Sequence, residues 1–162
     1  MGYVTKNLMA NEDLTYEAKI HWIIYVNPVL MLLLGVFVAR ISVSDLFRGF
    51  HPLIGQIAAI IGLLIILSGL FEYLKAFILS KTTELAVTNR RIIAKFGFIR
   101  RNTVEVFHHK VESVNVTQGI IGRLLNYGTI NITGTGGRIA PVRSIWSPIR
   151  FRNEVMKAIE SA

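Results

Sequence analysis

Two stretches of the chain carry no formal charge over lengths that match a lipid bilayer, and they leave few folds open. Twenty residues, 20–39, lie between Lys19 and Arg40, and twenty-three more, 49–71, lie between Arg48 and Glu72. A helix needs about 20 mainly apolar residues to cross the ~30 Å hydrocarbon core, and both runs reach that length. The core helix of a soluble domain is the competing reading, but two such runs in the first half of 162 residues argue against it. A cleaved signal peptide fits poorly as well. Glu12, Asp13 and Glu17 precede the first run, and no A-x-A site follows it. The expectation is an N-terminal tail (1–19), a transmembrane helical hairpin (20–80, with spans near 20–39 and 53–79 and an external loop at 40–52), and a separate domain over 81–162.

The charges support this division and suggest an orientation. Residues 1–80 hold five Lys/Arg and five acids, so the whole formal +8 falls in residues 81–162. The loop between the runs offers only Arg40 and Arg48, whereas Lys75, Lys81, Arg90, Arg91 and Lys95 crowd the far flank. Lys/Arg-rich flanks stay in the cytoplasm, and two spans return the chain to its starting side, so both termini are expected to be cytoplasmic. Trp22, Tyr25 and Tyr73 sit where amphipathic rings settle at headgroups. The sequons at Asn115 and Asn131 then carry no meaning for glycosylation. Composition agrees: 52% of residues are apolar and 17% charged, against averages of about 45–50% and about 25%.

The second run has an internal pattern. Gly55, Gly62, Gly69 and Ala76 recur every seven residues and so share one helix face, where small side chains let another backbone approach. Gly35 and Ala39 in the first run are a candidate match. The stripe serves packing within the hairpin or a contact between subunits. Asn27-Pro28 reads as a kink rather than a channel motif, because two helices cannot line a pore alone.

Beyond Lys81 the period changes to two. Leu85/Val87, Val104/Val106, Val114/Val116 and Ile130/Ile132 alternate with polar neighbours, as half-buried antiparallel strands do. Residues 91–96 and 138–142 are expected as further strands, the latter at an edge because of Pro141. Asn89, Gly97 and the glycine cluster at 134–137 mark turns. The segment GIIGRLLNY reads as a short helical connection. Ser147 and Pro148 suit the cap and first position of a final helix, with Phe151, Val155 and Ile159 along one face.

The segments LAVTNRRII (85–93), a following Gly97 and GIIGRLLNYGTINI (119–132) resemble the bacterial pleckstrin-homology-like family of membrane-flanked domains. The similarity covers about residues 81–160, and the helix pair agrees with the family in layout. The resemblance implies a membrane α-helical hairpin followed by a PH-like split β-barrel of antiparallel strands closed by a C-terminal helix. Eukaryotic relatives of this fold hold phosphoinositides with basic residues around a long first hairpin. Asn89 and Arg90 leave almost no loop here, so a pocket of that kind is not expected.

Catalysis is not expected either. The chain has no cysteine and no Asp after Asp45, so thiolate nucleophiles and Cys-based metal sites are excluded. No cofactor and no metal is expected. His108-His109 would need a bend and a third ligand from Glu105 or Glu112 to bind one. The cluster at 134–137 lacks the Lys-Ser/Thr of a phosphate loop. Arg90, Arg91, Lys95, Arg100 and Arg101 are the expected lipid- or partner-binding residues. Nucleic acid would want aromatic platforms among such charges, and Phe96 and Phe98 are the candidates, but a tethered domain meets lipid first. Each exposed Lys or Arg near an anionic leaflet contributes about 1 kcal/mol. The reading is a non-enzymatic protein of the bacterial inner membrane. It presents a basic module to the anionic cytoplasmic leaflet and to a protein partner or a second copy of itself. An accessory subunit of a transport or export system is the alternative, although the spans hold none of the charged residues that mark transport paths.

Overall fold

The structure is a computed structural model that describes residues 3–43, 52–97, 101–138 and 141–161. The chain runs α1 (Tyr3–Lys6), β1 (Leu14–Ala18), a 3₁₀ turn (Trp22–Tyr25), α2 (Val26–Val43) and α3 (Pro52–Thr82). There follow β2 (Glu84–Thr88), β3 (Arg91–Phe96), β4 (Asn102–Phe107), a 3₁₀ turn (His108–Lys110) and β5 (Val111–Thr117). The last part is α4 (Ile120–Leu124), β6 (Tyr127–Gly134), β7 (Gly137–Arg138), β8 (Val142–Trp146) and α5 (Pro148–Glu160). Two compact units result: a helical one of residues 22–78, and a sheet module built from residues 1–21 together with 79–162.

That second boundary corrects the expected N-terminal tail. Leu14–Ala18 is a strand and pairs antiparallel with β2, Ala18 opposite Leu85 and Glu17 opposite Ala86. The helical unit is therefore inserted between two strands that lie side by side. The same segment covers the outer face of the sheet, where Val4 packs with Ala86 and Ile93, joined by Leu8 and Leu14. Sequence alternation makes β2 a half-buried strand, yet Leu85, Ala86, Val87 and Thr88 are all buried because both faces are covered.

The module's strands form two sheets. One has the order β1-β2-β3-β4; in the other β6 is central, with β5 on one edge and β7 and β8 on the other. The expected closed barrel is absent among the described residues. Between β4 and β5 the chain turns through His108–Lys110, and the His108 N–H donates to Arg90 O at 3.2 Å. This pins the turn to the first sheet just where the second begins. Helix α5 contacts strands of both sheets and fills the space between them. Its Phe151 and Val155 are buried with Leu85, Ile92, Ile130 and Ile145 in one core. Pro148 opens α5, but Ser147 does not cap it: its backbone is left-handed (φ 47°), and its hydroxyl accepts a hydrogen bond from Asn126 Nδ2 at 2.8 Å. Of the expected strand at 138–142, Arg138 ends β7 and Val142 begins β8, while residues 139 and 140 lie outside the described residues.

In the helical unit, Trp22–Ser42 and Leu53–Thr82, of 21 and 30 residues, are long and apolar enough to cross a membrane. Large side chains such as Leu33, Phe37, Leu64 and Leu67 are exposed around them. The small-residue stripe faces α2. A Cβ on Gly62 would stand 2.9 Å from Ala39 N, one on Gly69 3.1 Å from Leu32 N, and one on Gly55 3.2 Å from Ser42 O. From the other side, a Cβ on Gly35 would meet Ile66 N at 2.9 Å. The contact thus lies within the chain and brings the two backbones close. Ala76, the last of the heptad series, is half-buried. The expected external loop lies mostly outside the described residues.

Candidate functional site

Of the five basic residues singled out from the sequence, the four that are described do not form one surface. Arg90 is exposed in the two-residue turn between β2 and β3, and Arg101 is exposed just before β4. Six residues of β3 separate them, about 20 Å at about 3.3 Å per residue. Lys95 is engaged: its ammonium lies 3.0 Å from Glu84 Oε1 and 5.0 Å from the centre of the Tyr3 ring. Arg100 lies outside the described residues.

Arg91 has to be removed from the expected surface, because its side chain is buried and fully engaged. Its Nε and Nη2 donate to Glu12 at 2.9 and 2.8 Å, and Nη1 donates to Glu105 Oε2 at 2.5 Å. The Glu12 carboxylate also accepts from Thr88 Oγ1 at 2.8 Å and from the Met9 N–H at 2.7 Å. Burial pushes the Glu12 carboxyl upward, but the hydrogen bonds from Arg91, Met9 and Thr88 and the arginine's charge hold it below its ordinary value. Arg91 in turn is raised, first by its hydrogen bond to Glu12 and against the effect of burial. This network latches the N-terminal segment to the β2–β3 turn, helped by a second tie: Asn89 N donates to Asp13 O and Asp13 N to Asn89 Oδ1, each at 3.1 Å. Neighbouring arginines on a strand and its turn face different ways, so one can be structural and the other free.

The strongest functional geometry lies where the chain leaves the module for the helical unit. Ile20 bridges Ile145, Trp146 N donates to Lys19 O at 2.8 Å, and His21 N donates to Ser144 O at 2.6 Å. The His21 ring is buried between Tyr127 and Trp146, with centroids 5.1 and 4.5 Å away. Burial lowers its pKa, opposed by a hydrogen bond with the backbone of Leu125. The chain re-enters the module at the same end, since Ile20, Leu79, Thr83, Phe96 and Val142 line one cleft. Lys19, Arg101 and Arg143 are exposed around this attachment end; Arg90, on the far side of β3, is not part of it. Sequence reasoning passed over Lys19 and Arg143 because nothing local marks them. Only pairing with β8 brings them together.

The histidine pair divides in the same manner. His108 is buried, with Nε2 2.9 Å from Thr88 O, whereas His109 is exposed and stacks on Phe107. No group of three His, Cys, Asp or Glu side chains able to hold a metal occurs among the described residues.

Comparison with known proteins adds one match. The model of the family described as "Bacterial PH domain" matches residues 24–159, which takes in both apolar helices and the sheets but not β1 or the Glu12 latch. No curated protein and no solved structure matches the chain.

Proposed function

The chain belongs to the bacterial PH domain family, and on that premise we propose that it is a membrane-anchored binding module that performs no catalysis. The paired apolar helices cross the cytoplasmic membrane, and the sheet module docks on the anionic inner leaflet and assembles with protein partners. The observation that carries this reading is the pairing of β1 with β2 across the inserted hairpin. Strands that share a ladder lie in one compartment, so a chain that leaves after β1 and returns at β2 crosses an even number of times. Two helices of sufficient length and apolarity lie between them. The clustering of Lys19, Arg101 and Arg143 at the attachment end supports an electrostatic contact with anionic lipid, which decays within a Debye length of about 8–10 Å.

Cysteine scanning tests the arrangement cleanly, since the chain has no cysteine of its own. A cysteine at Ser44 should react with an impermeant thiol reagent added to intact cells. One at Asn153, on α5, should react only after the cells are opened. Labelling of both from outside, or of Asn153 alone, would overturn the proposal.

A further inference from the structure

Helix α4 places three large apolar side chains in the open. Ile120 is 90% exposed, Ile121 61% and Leu124 84%. Its backbone is nevertheless held firmly. Gly122 is the buried residue of the helix, and a Cβ there would meet Tyr127 O at 2.7 Å. Gln118 Nε2 donates to Gly122 O at 3.2 Å and to Tyr127 O at 2.9 Å. The glycine face is thus clamped inward, and the isoleucine and leucine side chains are turned outward by construction. A soluble surface gains nothing from such a rigid apolar knob.

Charge and position indicate what covers it. Residues 113–153 contain five arginines and no Asp or Glu. Arg123 of α4 and Arg152 of α5 line one open cavity with Gln118 and Ile149. The nearest acid beyond them, Glu154, is 3.1 Å from Lys157. Leu125, directly after α4, hydrogen-bonds the His21 ring through its backbone, and His21 is the last residue before the first apolar helix. The knob therefore belongs to the attachment end of the module, beside half-exposed Trp146.

We infer that α4 is a membrane-interface wedge. Ile120, Ile121 and Leu124 enter the boundary between headgroups and acyl chains of the chain's own bilayer, while Arg123 and Arg152 meet lipid phosphates. Apolar side chains bordered by arginine and tryptophan are the composition that binds this zone. The wedge replaces the β2–β3 arginines as the lipid-contacting element, and it rests on the proposal that the helices span a membrane.

The test uses the full chain in liposomes of anionic phospholipid, with a single Leu124→Cys carrying an environment-sensitive fluorophore. Thr135→Cys, in the turn at the other end of β6, is the control. At position 124 the emission should shift to the blue and lose most of its intensity when nitroxide-labelled lipid is included; at 135 it should do neither. Ile120→Ser with Ile121→Ser should reduce the quenching at 124. If the chain resists alkaline extraction while the label at 124 stays in water, the wedge is refuted and the anchored module stands. A blue shift without lipid quenching, lost on diluting protein in lipid, would assign the knob to a second copy and also refute the wedge. Extraction of the whole chain by alkali would overturn the anchored reading itself, and the wedge with it.

Discussion

Replacing Glu12 by Ala should unfasten the N-terminal segment while leaving the rest of the module folded. The Glu12 side chain has no exposed surface and accepts hydrogen bonds from Arg91, Thr88 and Met9. Its removal leaves the Arg91 guanidinium, only 5% exposed, with Glu105 and the Asn7 carbonyl as remaining partners. Breaking a buried ion pair from one side costs about 3–5 kcal/mol. Because Glu105 still neutralises part of the charge, the lower end applies, about 3 kcal/mol, or about two decades in an opening constant at 1.4 kcal/mol per tenfold. Glu105→Ala removes a carboxylate whose side chain is 37% exposed, so its loss should stay within about 1 kcal/mol. Hydrogen exchange on the full chain in detergent reads both variants. Amides of β1 should open far more often in Glu12→Ala and hardly more often in Glu105→Ala, with β5 and β6 unchanged. Equal loosening by the two, or unchanged exchange at Tyr16 and Ala18, would refute the latch.

Gly62→Leu should drive α2 and α3 apart, since even a Cβ would lie 2.9 Å from Ala39 N; an unchanged melting temperature in detergent would show that the contact yields. His21 is kept neutral by burial, so the unfolded module takes up a proton that the folded one refuses as pH falls below the ordinary value of 6.5. Thermal stability should fall through that window and then level off, and His21→Phe should flatten the slope. A second loss follows at lower pH, because the Glu12 contribution is complete above its ordinary 4.5 and disappears as pH falls through its lowered value. Arg101→Gln should shift the salt dependence of module docking on anionic bilayers, whereas Arg90→Gln at the far end of β3 should leave it unchanged.

How much of this could be read in advance depended on the range of the interaction. The two apolar runs, the β2–β3 hairpin around Asn89 and the strict alternation of β6 are local signals, and each element appears in its expected place. Leu14, Tyr16 and Ala18 also alternate, but acidic neighbours gave the segment the look of a solvated tail. What makes it a strand is pairing with residues some seventy positions away. The same holds for Arg91. Its sequence context is a basic run, and its buried partner Glu12 lies on the other side of the helical hairpin. β8 hides for a different reason. Ser144 adopts a left-handed backbone (φ 55°), and the β6–β8 register slips, so Val142 and Ile145 break the two-residue period while both reach the core. In α4 the sequence showed a helix but not its exposure, which depends on Gly122 meeting the Tyr127 carbonyl.

The insertion of the helices between β1 and β2 has a consequence for dividing the chain. Residues 81–162, which appear self-sufficient by composition, would begin at the open edge of β2. They would expose Ala86 and Ile93, buried beneath Val4 in the whole module, and would leave Arg91 buried without its main counter-charge. The attachment end would lose Ile20 and His21 from beside β8 as well. Residues 3–21 and 79–162 should instead fold when joined by a short flexible linker, because Ala18 and Leu85 are ladder partners on strands about 4.8 Å apart. The linked module should give dispersed amide spectra and a cooperative thermal transition, with residues 81–162 alone giving neither. If 81–162 alone unfolds as cooperatively as the linked form, the N-terminal strand is an ornament on a finished core, and neither the Glu12–Arg91 pair nor the cover over Ala86 and Ile93 is needed for the module to fold.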